Sequence, residues 1–188
     1  MLSIIYCSII YCRNCSSVHV AAKNGRLDLL QNLVPKLNEG NPKDDDGITP
    51  LHLAAKYGHL DAVKYLWIFI TDMHPKAGPK LYHQTPLHSA AIGGHLEVVK
   101  FLVQSTEENI NPSLSNGKTV LHLAAQYGHL EIVSFYTSQF VINPGQSSND
   151  EFEGKTPLHY AAQEGNLSVV RHLCSLLSKK PNPTDANW

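Results

Sequence analysis

The sequence predicts an all-α repeat solenoid, in which short helix-turn-helix units carrying hairpin fingers are stacked along the chain. The segment Thr49-Pro50-Leu51-His52 recurs at residues 85–88 and 156–159, and at 119–122 with Val120 in place of the proline. A weaker copy stands at 16–19. The intervals between the histidines of these copies are 33, 36, 34 and 37 residues. Self-similarity at such a period is typical of proteins built from stacked repeats.

The copies remain similar beyond this segment. The second copy continues with Ala54-Ala55 and then with Gly58-His59-Leu60, and the other copies repeat these positions with small variations. The whole pattern, from about residue 16 to residue 188, resembles the ankyrin-repeat family. That resemblance implies a unit of two short antiparallel helices with a β-hairpin finger. It also implies protein–protein binding as the usual activity, without chemistry of its own.

Five repeats are expected, at about residues 16–45, 46–81, 82–115, 116–152 and 153–184. The first copy is degenerate because Ser16-Ser17 replaces Thr-Pro, and the start of a sixth copy follows the fifth. Val169 and Leu173 keep the fifth copy as apolar as an internal one, whereas end repeats normally have a polar outer face. A fragment of a longer repeat array is therefore expected, or a gene model from which the missing copies were lost.

Local signals support two helices in each copy. A threonine such as Thr49 can cap a helix, and a proline in the next position loses no hydrogen bond. Gly58 is a suitable left-handed stop for that helix. Helices of about eight to eleven residues are too short to be stable alone, so each copy depends on its neighbours. The leucines expected to be buried between repeats are Leu51, Leu87, Leu121 and Leu158.

The fingers carry most of the length variation. The longest is expected at 149–153, and His83 stands where a turn glycine is expected in the third copy. Insertions into repeats usually fall in such loops. Asn41, Asn111 and Asn182 occupy a hairpin position that resembles the one modified by asparaginyl hydroxylases, and a purely structural hairpin bond is the alternative.

Composition excludes some classes of function. The chain has 15 basic and 16 acidic residues, with a net charge of −1. Nucleic-acid binding needs a basic stripe, so no nucleic-acid partner is expected. The sequence lacks an apolar run of about 18 residues, so no membrane span is expected. We expect a cytoplasmic protein.

The N-terminal segment 1–15 is apolar and contains Cys7, Cys12 and Cys15. It lacks the basic residues that precede the apolar run of a signal peptide. A zinc site would need a second pair of cysteines, and only the distant Cys174 remains. Reduced intracellular thiols, on a segment that packs over the first repeat, are therefore expected.

Eight of the eleven histidines belong to the repeat pattern. Because they lie one repeat apart, they form a ladder and do not converge on one ion. The resemblance implies that the histidine of each first helix bonds to the capping threonine and to the neighbouring loop. No catalytic residue, cofactor site or metal site is predicted, since no nucleophile, carboxylate pair or Gly-rich phosphate loop stands in a suitable context.

A partner-binding face is predicted instead. In the resembling architecture the finger tips and the ends of the first helices line one concave face, and the repeat pattern leaves those positions variable. The residues predicted to bind a partner are Asp45, Asp46, Ile48, Lys56, Tyr57, Leu81, Tyr82, Gln84, Ile92, Asn116, Lys118, Gln126, Tyr127, Phe152, Glu153, Lys155 and Gln163.

Two functions remain open at this point. The first is a non-catalytic scaffold or adaptor, either a monomeric module or part of a longer chain, that binds a protein of unknown identity. The second is a targeting or regulatory segment of a larger enzyme, channel or ubiquitin-ligase subunit.

Overall fold

The computed structural model describes residues 17–37, 42–69, 75–106, 110–140 and 154–178. Within these ranges the backbone forms ten α-helices and two short 3₁₀-helices, Val34–Lys36 and Pro79–Leu81. The α-helices are α1 (17–23), α2 (Leu27–Leu33), α3 (Pro50–Lys56), α4 (Leu60–Trp67), α5 (Pro86–Gly93), α6 (Leu96–Ser105), α7 (Val120–Gln126), α8 (Leu130–Gln139), α9 (Pro157–Gln163) and α10 (Leu167–Leu177).

Successive helix pairs, from α1 and α2 to α9 and α10, define the first to the fifth repeat. The repeats fall into two compact units, one ending at Ile110 and one beginning at Asn111. In the first unit α3 packs on α5, and α4 packs on both α2 and α6. In the second unit α7 packs on α9, and α8 packs on α10. The predicted fold class, stacked helix-turn-helix repeats, is confirmed within each unit.

The predicted helix starts are confirmed at α3, α5, α7 and α9. At α3 the Thr49 hydroxyl accepts the His52 N–H, and Pro50 occupies the first turn. Each of these helices has a capping box, in which the histidine ring accepts a hydrogen bond from the backbone N–H of the threonine. A cap of this kind satisfies two of the donors that a helix leaves unpaired at its N-terminus.

The core lies between successive repeats. Leu51, Leu87 and Leu121 are buried, as the sequence predicts. The burial predicted for Leu158 is wrong, because this side chain is only half-buried. α9 packs on α7 and α10, and the described residues provide no further helix on its other side. In α8, Tyr136 stands where the other repeats carry a leucine, as at Leu66 and Leu102. It is fully buried, and its ring centroid lies 5.7 Å from that of Phe135.

β-Hairpin fingers are not confirmed. In the described residues the fingers are tight turns, with one isolated antiparallel bridge between Ser113 and Thr119. In the second repeat the Asp44 N–H donates to the Ile48 carbonyl over 2.9 Å, around Gly47 at φ +73°. This hydrogen bond closes the turn, and residues 42–49 form no strand.

The turn of the third finger has a different backbone conformation. Tyr82 and His83 both have left-handed φ values, 52° and 59°, where the second repeat uses a glycine. They follow the 3₁₀-helix Pro79–Leu81, and the loop is closed by the Ala77 N–H donating to the Gln84 carbonyl over 2.8 Å. This closure holds two residues other than glycine in a backbone conformation that favours glycine.

Candidate partner-binding face

The end of α3, the first helix of the second repeat, carries an exposed aromatic residue. Tyr57 is the C-cap of α3, next to the exposed Lys56. The Lys23 ammonium, at the end of α1, lies 5.4 Å from the centroid of the Tyr57 ring. A cation over an aromatic face is favourable by about 0.5–1 kcal/mol at an exposed site. The ends of α1 and α3 are therefore in contact and form one surface.

The second finger contributes acidic side chains to this unit. Asp45 is exposed, and Asp46 forms an ion pair with Lys80 of the third finger at 3.2 Å. The Gly78 N–H also donates to the Asp46 carbonyl over 2.8 Å, which fixes one finger on the next. An exposed ion pair contributes little stability, so the backbone bond is the more important link.

The third finger presents Tyr82 to solvent. Tyr57, Tyr82 and, in the second unit, Tyr127 are 42%, 51% and 51% exposed. Leu81, Gln84 and Ile92 are half-buried, and the Gln84 amide donates to the Ser89 hydroxyl over 2.7 Å. Among the predicted residues of this loop, Tyr82 is therefore the most exposed. Its side chain can supply both an apolar contact and a hydroxyl group.

In the second unit the structure brings predicted residues together in pairs. The Lys118 ammonium donates to the Gln126 side chain over 3.5 Å, and the Lys155 ammonium donates to the Gln163 side chain over 3.2 Å. Each pair joins the residue after the turn to the residue at the end of the first helix. The finger and the helix end therefore form one surface within each of these repeats.

Other predicted residues also form hydrogen bonds within the fold. The Asn116 side chain accepts the Lys118 N–H over 3.2 Å, and the Ile48 carbonyl lies 2.9 Å from Nε2 of His19. Phe152 and Glu153 lie outside the described residues.

Tyr160 is a neighbour of this surface that is absent from the residues predicted to bind a partner. It is buried in α9, with its ring 4.4 Å from the Lys118 ammonium and 5.9 Å, edge to face, from His122. The signal was an aromatic residue directly after His159, where other copies carry leucine, serine or valine. The Tyr160 ring therefore offers a cation–π contact to the Lys118 ammonium.

The first-helix histidines are structural, as expected from the resemblance. Nδ1 of His52 lies 2.8 Å from the Thr49 hydroxyl and accepts the Thr49 N–H at 3.2 Å. Nε2 of the same ring lies 2.9 Å from the Gln84 carbonyl of the next repeat. Because Nδ1 accepts the backbone N–H, Nε2 carries the proton and donates to that carbonyl. A neutral ring of this tautomer joins two repeats.

Burial lowers the pKa of His52 to about 4. The hydrogen bond to the Gln84 carbonyl and the charge of Asp44 raise it, while Lys43 and His19 lower it. Desolvation outweighs the other effects because the ring is enclosed between repeats. His52 is thus neutral at physiological pH and matches the tautomer that the hydrogen bonds require.

The histidines that precede the second helices join repeats in the opposite direction. Nε2 of His59 lies 2.9 Å from the carbonyl of Lys23, the last residue of α1. In the fifth repeat Asn166 replaces the histidine, and its amide donates to the carbonyls of Ala125 and Gln126 over 3.0 and 2.8 Å. The last carbonyls of a helix lack partners within it, and these side chains supply them.

Within the described ranges no group of three or more His, Cys, Asp and Glu side chains could hold a metal ion. No helix in those ranges is both long and apolar enough to cross a membrane. Cys174 is exposed and has a free thiol, whereas Cys7, Cys12 and Cys15 lie outside the described residues. His172, which the repeat pattern does not explain, lies 3.0 Å from the Thr137 hydroxyl.

A family model described as ankyrin repeats in three copies matches residues 18–113 and 107–185. A comparison with curated proteins gave no match. The family match covers most of the sequence and agrees with the capped first helices, the glycine stops and the histidine contacts described above. The chain belongs to the ankyrin-repeat family.

Proposed function

We propose that this protein is a non-catalytic scaffold or adaptor that binds a protein partner through the finger and helix-end surface of its repeats. Ankyrin repeats are in general protein–protein interaction modules. The observation that carries the proposal is the exposure of Tyr57, Tyr82 and Tyr127 beside pattern residues that are buried. Tyrosine is enriched among the residues that dominate binding energy at interfaces.

The different roles of the buried and the exposed residues support this proposal. The pattern residues Thr49, Leu51, His52 and Ala54 are buried and hold the repeat together. The variable positions beside them lie on the surface and are free to differ from repeat to repeat. A surface of this kind supplies specificity without disturbing the fold, which is what a binding module requires.

The partner segment that this surface suits is an extended or looped piece of protein. Its contacts in the first unit would combine an aromatic anchor at Tyr82 with carboxylates at Asp45 and Asp46. In the second unit they would combine Tyr127 with the ammonium groups of Lys118 and Lys155. We place the protein in the cytoplasm, as a monomeric module or as part of a longer chain, with no nucleic-acid partner.

The second candidate is a targeting or regulatory ankyrin segment of a larger enzyme, channel or ubiquitin-ligase subunit. The half-buried Leu158 favours it, because an internal repeat would have this side chain covered by a following repeat. A longer transcript encoding a catalytic or membrane domain would decide for this candidate. Both candidates use the same surface.

The test uses affinity capture from a cell extract, followed by crosslinking mass spectrometry to identify the partner and the residues it touches. Replacing Tyr82 and Tyr127 together by alanine should weaken binding of the captured partner by about 2 kcal/mol or more if they are anchors. The melting temperature should change by only a few degrees, because exposed substitutions usually cost about 0.5 kcal/mol or less.

The matched control is a double alanine variant of Glu97 and Lys100, an exposed ion pair of 2.7 Å on the second helix of the third repeat. This control should bind the partner normally. If the control loses binding while the tyrosine variant retains it, the partner uses the second helices and the proposed face is wrong.

A further inference from the structure

The first repeat exposes apolar side chains on one of its faces. Val20 of α1 is 57% exposed and Leu29 of α2 is 41% exposed. We call these two side chains, with the helix surfaces that carry them, the leading face of the first repeat. Neither position belongs to the finger and helix-end surface proposed above.

The same positions are buried or half-buried in repeats that follow another repeat in their unit. The counterparts of Leu29, namely Ala62, Val98 and Val169, are at most 1% exposed. Of the counterparts of Val20, Ser89 and Tyr160 are 1% and 4% exposed, and Leu53 is half-buried.

Contacts of the fifth repeat show which neighbour covers the position of Val20. The Tyr160 ring touches His122 and Lys118, which belong to the preceding repeat. The second helices show the same neighbour, since α4 packs on α2 and α10 packs on α8. The leading face is therefore the surface on which a repeat stacks against its predecessor. In the first repeat it lacks a predecessor among the described residues, and its apolar area favours burial at about 25 cal/mol per Å².

We propose that residues 2–12 of this chain cover the leading face of the first repeat. This stretch contains Leu2, Ile4, Ile5, Ile9 and Ile10 and no charged side chain before Arg13. Its composition matches the apolar chemistry of Val20 and Leu29, whereas a polar segment would gain nothing there.

Position along the chain supports the same occupant. The stretch ends a few residues before α1, which carries Val20 itself. A chain of about twelve residues spans roughly 40 Å when extended. Two packed helices are about 20 Å wide, so the segment has ample reach to pass over both α1 and α2. A tethered segment also binds at a high effective concentration, which a separate molecule lacks.

The first test substitutes Val20→Lys in the full chain and in a chain that lacks residues 2–12. In the full chain the lysine would be placed beneath an apolar segment, so the melting temperature should fall by several degrees. In the shortened chain the same substitution should have no effect, because the side chain would then be exposed. Ile68→Lys, at a residue of the second repeat that is 75% exposed, is the matched control and should be neutral in both chains.

A second readout does not depend on melting. Cys7 lies in the proposed segment, and its rate of alkylation by a maleimide can be followed by peptide mass spectrometry. Weakening the cover by about 1.4 kcal/mol would make this rate about tenfold faster in Val20→Lys than in the native chain. Cys174, an exposed thiol, should react at an unchanged rate and serves as the internal reference.

Three results would overturn the proposal. One is a Val20→Lys substitution that is neutral in the full chain, which would mean that the face is open in solution. Another is the same loss of melting temperature with and without residues 2–12, or an unchanged alkylation rate at Cys7. The third is a dimer in light scattering that Val20→Lys converts to a monomer, which would identify a second copy of the chain as the occupant.

Discussion

At the scale of single residues, His52 shows how one ring links two repeats. Its Nδ1 accepts from Thr49, and its Nε2 donates to the Gln84 carbonyl. Protonation would place a second proton on Nδ1, so the Thr49 N–H would lose its acceptor. The geometry and the low pKa of the ring have the same cause, since both follow from enclosing a neutral imidazole between two repeats.

This arrangement predicts a loss of stability in acid. The pKa of His52 is lowered to about 4 in the folded chain, against about 6.5 in an unfolded one. Its contribution is therefore fully present above pH 6.5 and is lost as the pH falls towards 4. Between pH 7 and pH 5 the free energy of unfolding should fall by about 2 kcal/mol on this account.

Urea titration at several pH values would measure this loss. In His52→Gln, which cannot titrate, the decrease between pH 7 and pH 5 should be smaller by the same amount. Proton NMR of the His52 ring should show it neutral at pH 5. A ring that titrates near pH 6.5 would contradict the proposed tautomer and its enclosure.

At the scale of the helix, the glycine stops have two functions. Gly58 has a left-handed φ of +78°, and a Cβ at this position would collide with the His95 ring of the next repeat. Gly165 has a similar φ of +74°, but its Cβ would meet nothing within 4 Å. The two glycines share the backbone requirement and differ in the packing requirement, which makes them a matched pair.

Replacing each by alanine should separate the two effects. Gly165→Ala should cost about 1–2 kcal/mol, the usual penalty for a left-handed residue with a Cβ. Gly58→Ala should cost at least about 1 kcal/mol more, because the His95 ring must move as well. Chemical denaturation of both variants gives the comparison, and equal losses would show that the histidine has room to adjust.

The sequence predicted the helices well because their signals are local. A capping threonine, a proline in the first turn and a glycine stop each act within a few residues, and the structure confirms all three at α3. The hairpin fingers were less predictable, because strand pairing depends on backbone contacts between loops. The turn at Tyr82 and His83 has no glycine, and its closure by Ala77 and Gln84 is visible only in three dimensions.

The candidate surface was predictable only in part for a related reason. The variable positions could be read from the repeat, which places Tyr57 and Tyr82 outside the core. The contact of Lys118 with Tyr160 could not, because it joins different repeats and depends on how closely they stack. The role of Asn166 could not be predicted either. Only its hydrogen bonds to the carbonyls of Ala125 and Gln126 show that it joins two repeats as the histidine does in other copies.

At the scale of the whole molecule, a repeat protein gains stability from intrinsic repeat terms and from interfaces between neighbours. The second repeat has a neighbour on both sides within its unit, since α4 packs on α2 and α6. The fifth repeat packs on the fourth alone among the described residues, since α10 packs on α8 and α9. The same core deletion should therefore have different consequences in the two repeats.

Leu66 and Leu173 provide the comparison, because both are fully buried and occupy the same position of the second helix. Replacing either by alanine removes the same side chain, at a cost of about 2–5 kcal/mol. Leu66→Ala should also weaken the coupling of the first repeat to the third, so unfolding should broaden and its denaturant slope should fall. Leu173→Ala should loosen only the fifth repeat, leaving hydrogen exchange in α3 and α5 unchanged. Denaturant titration with hydrogen exchange distinguishes these outcomes, and identical broadening in both variants would contradict nearest-neighbour coupling.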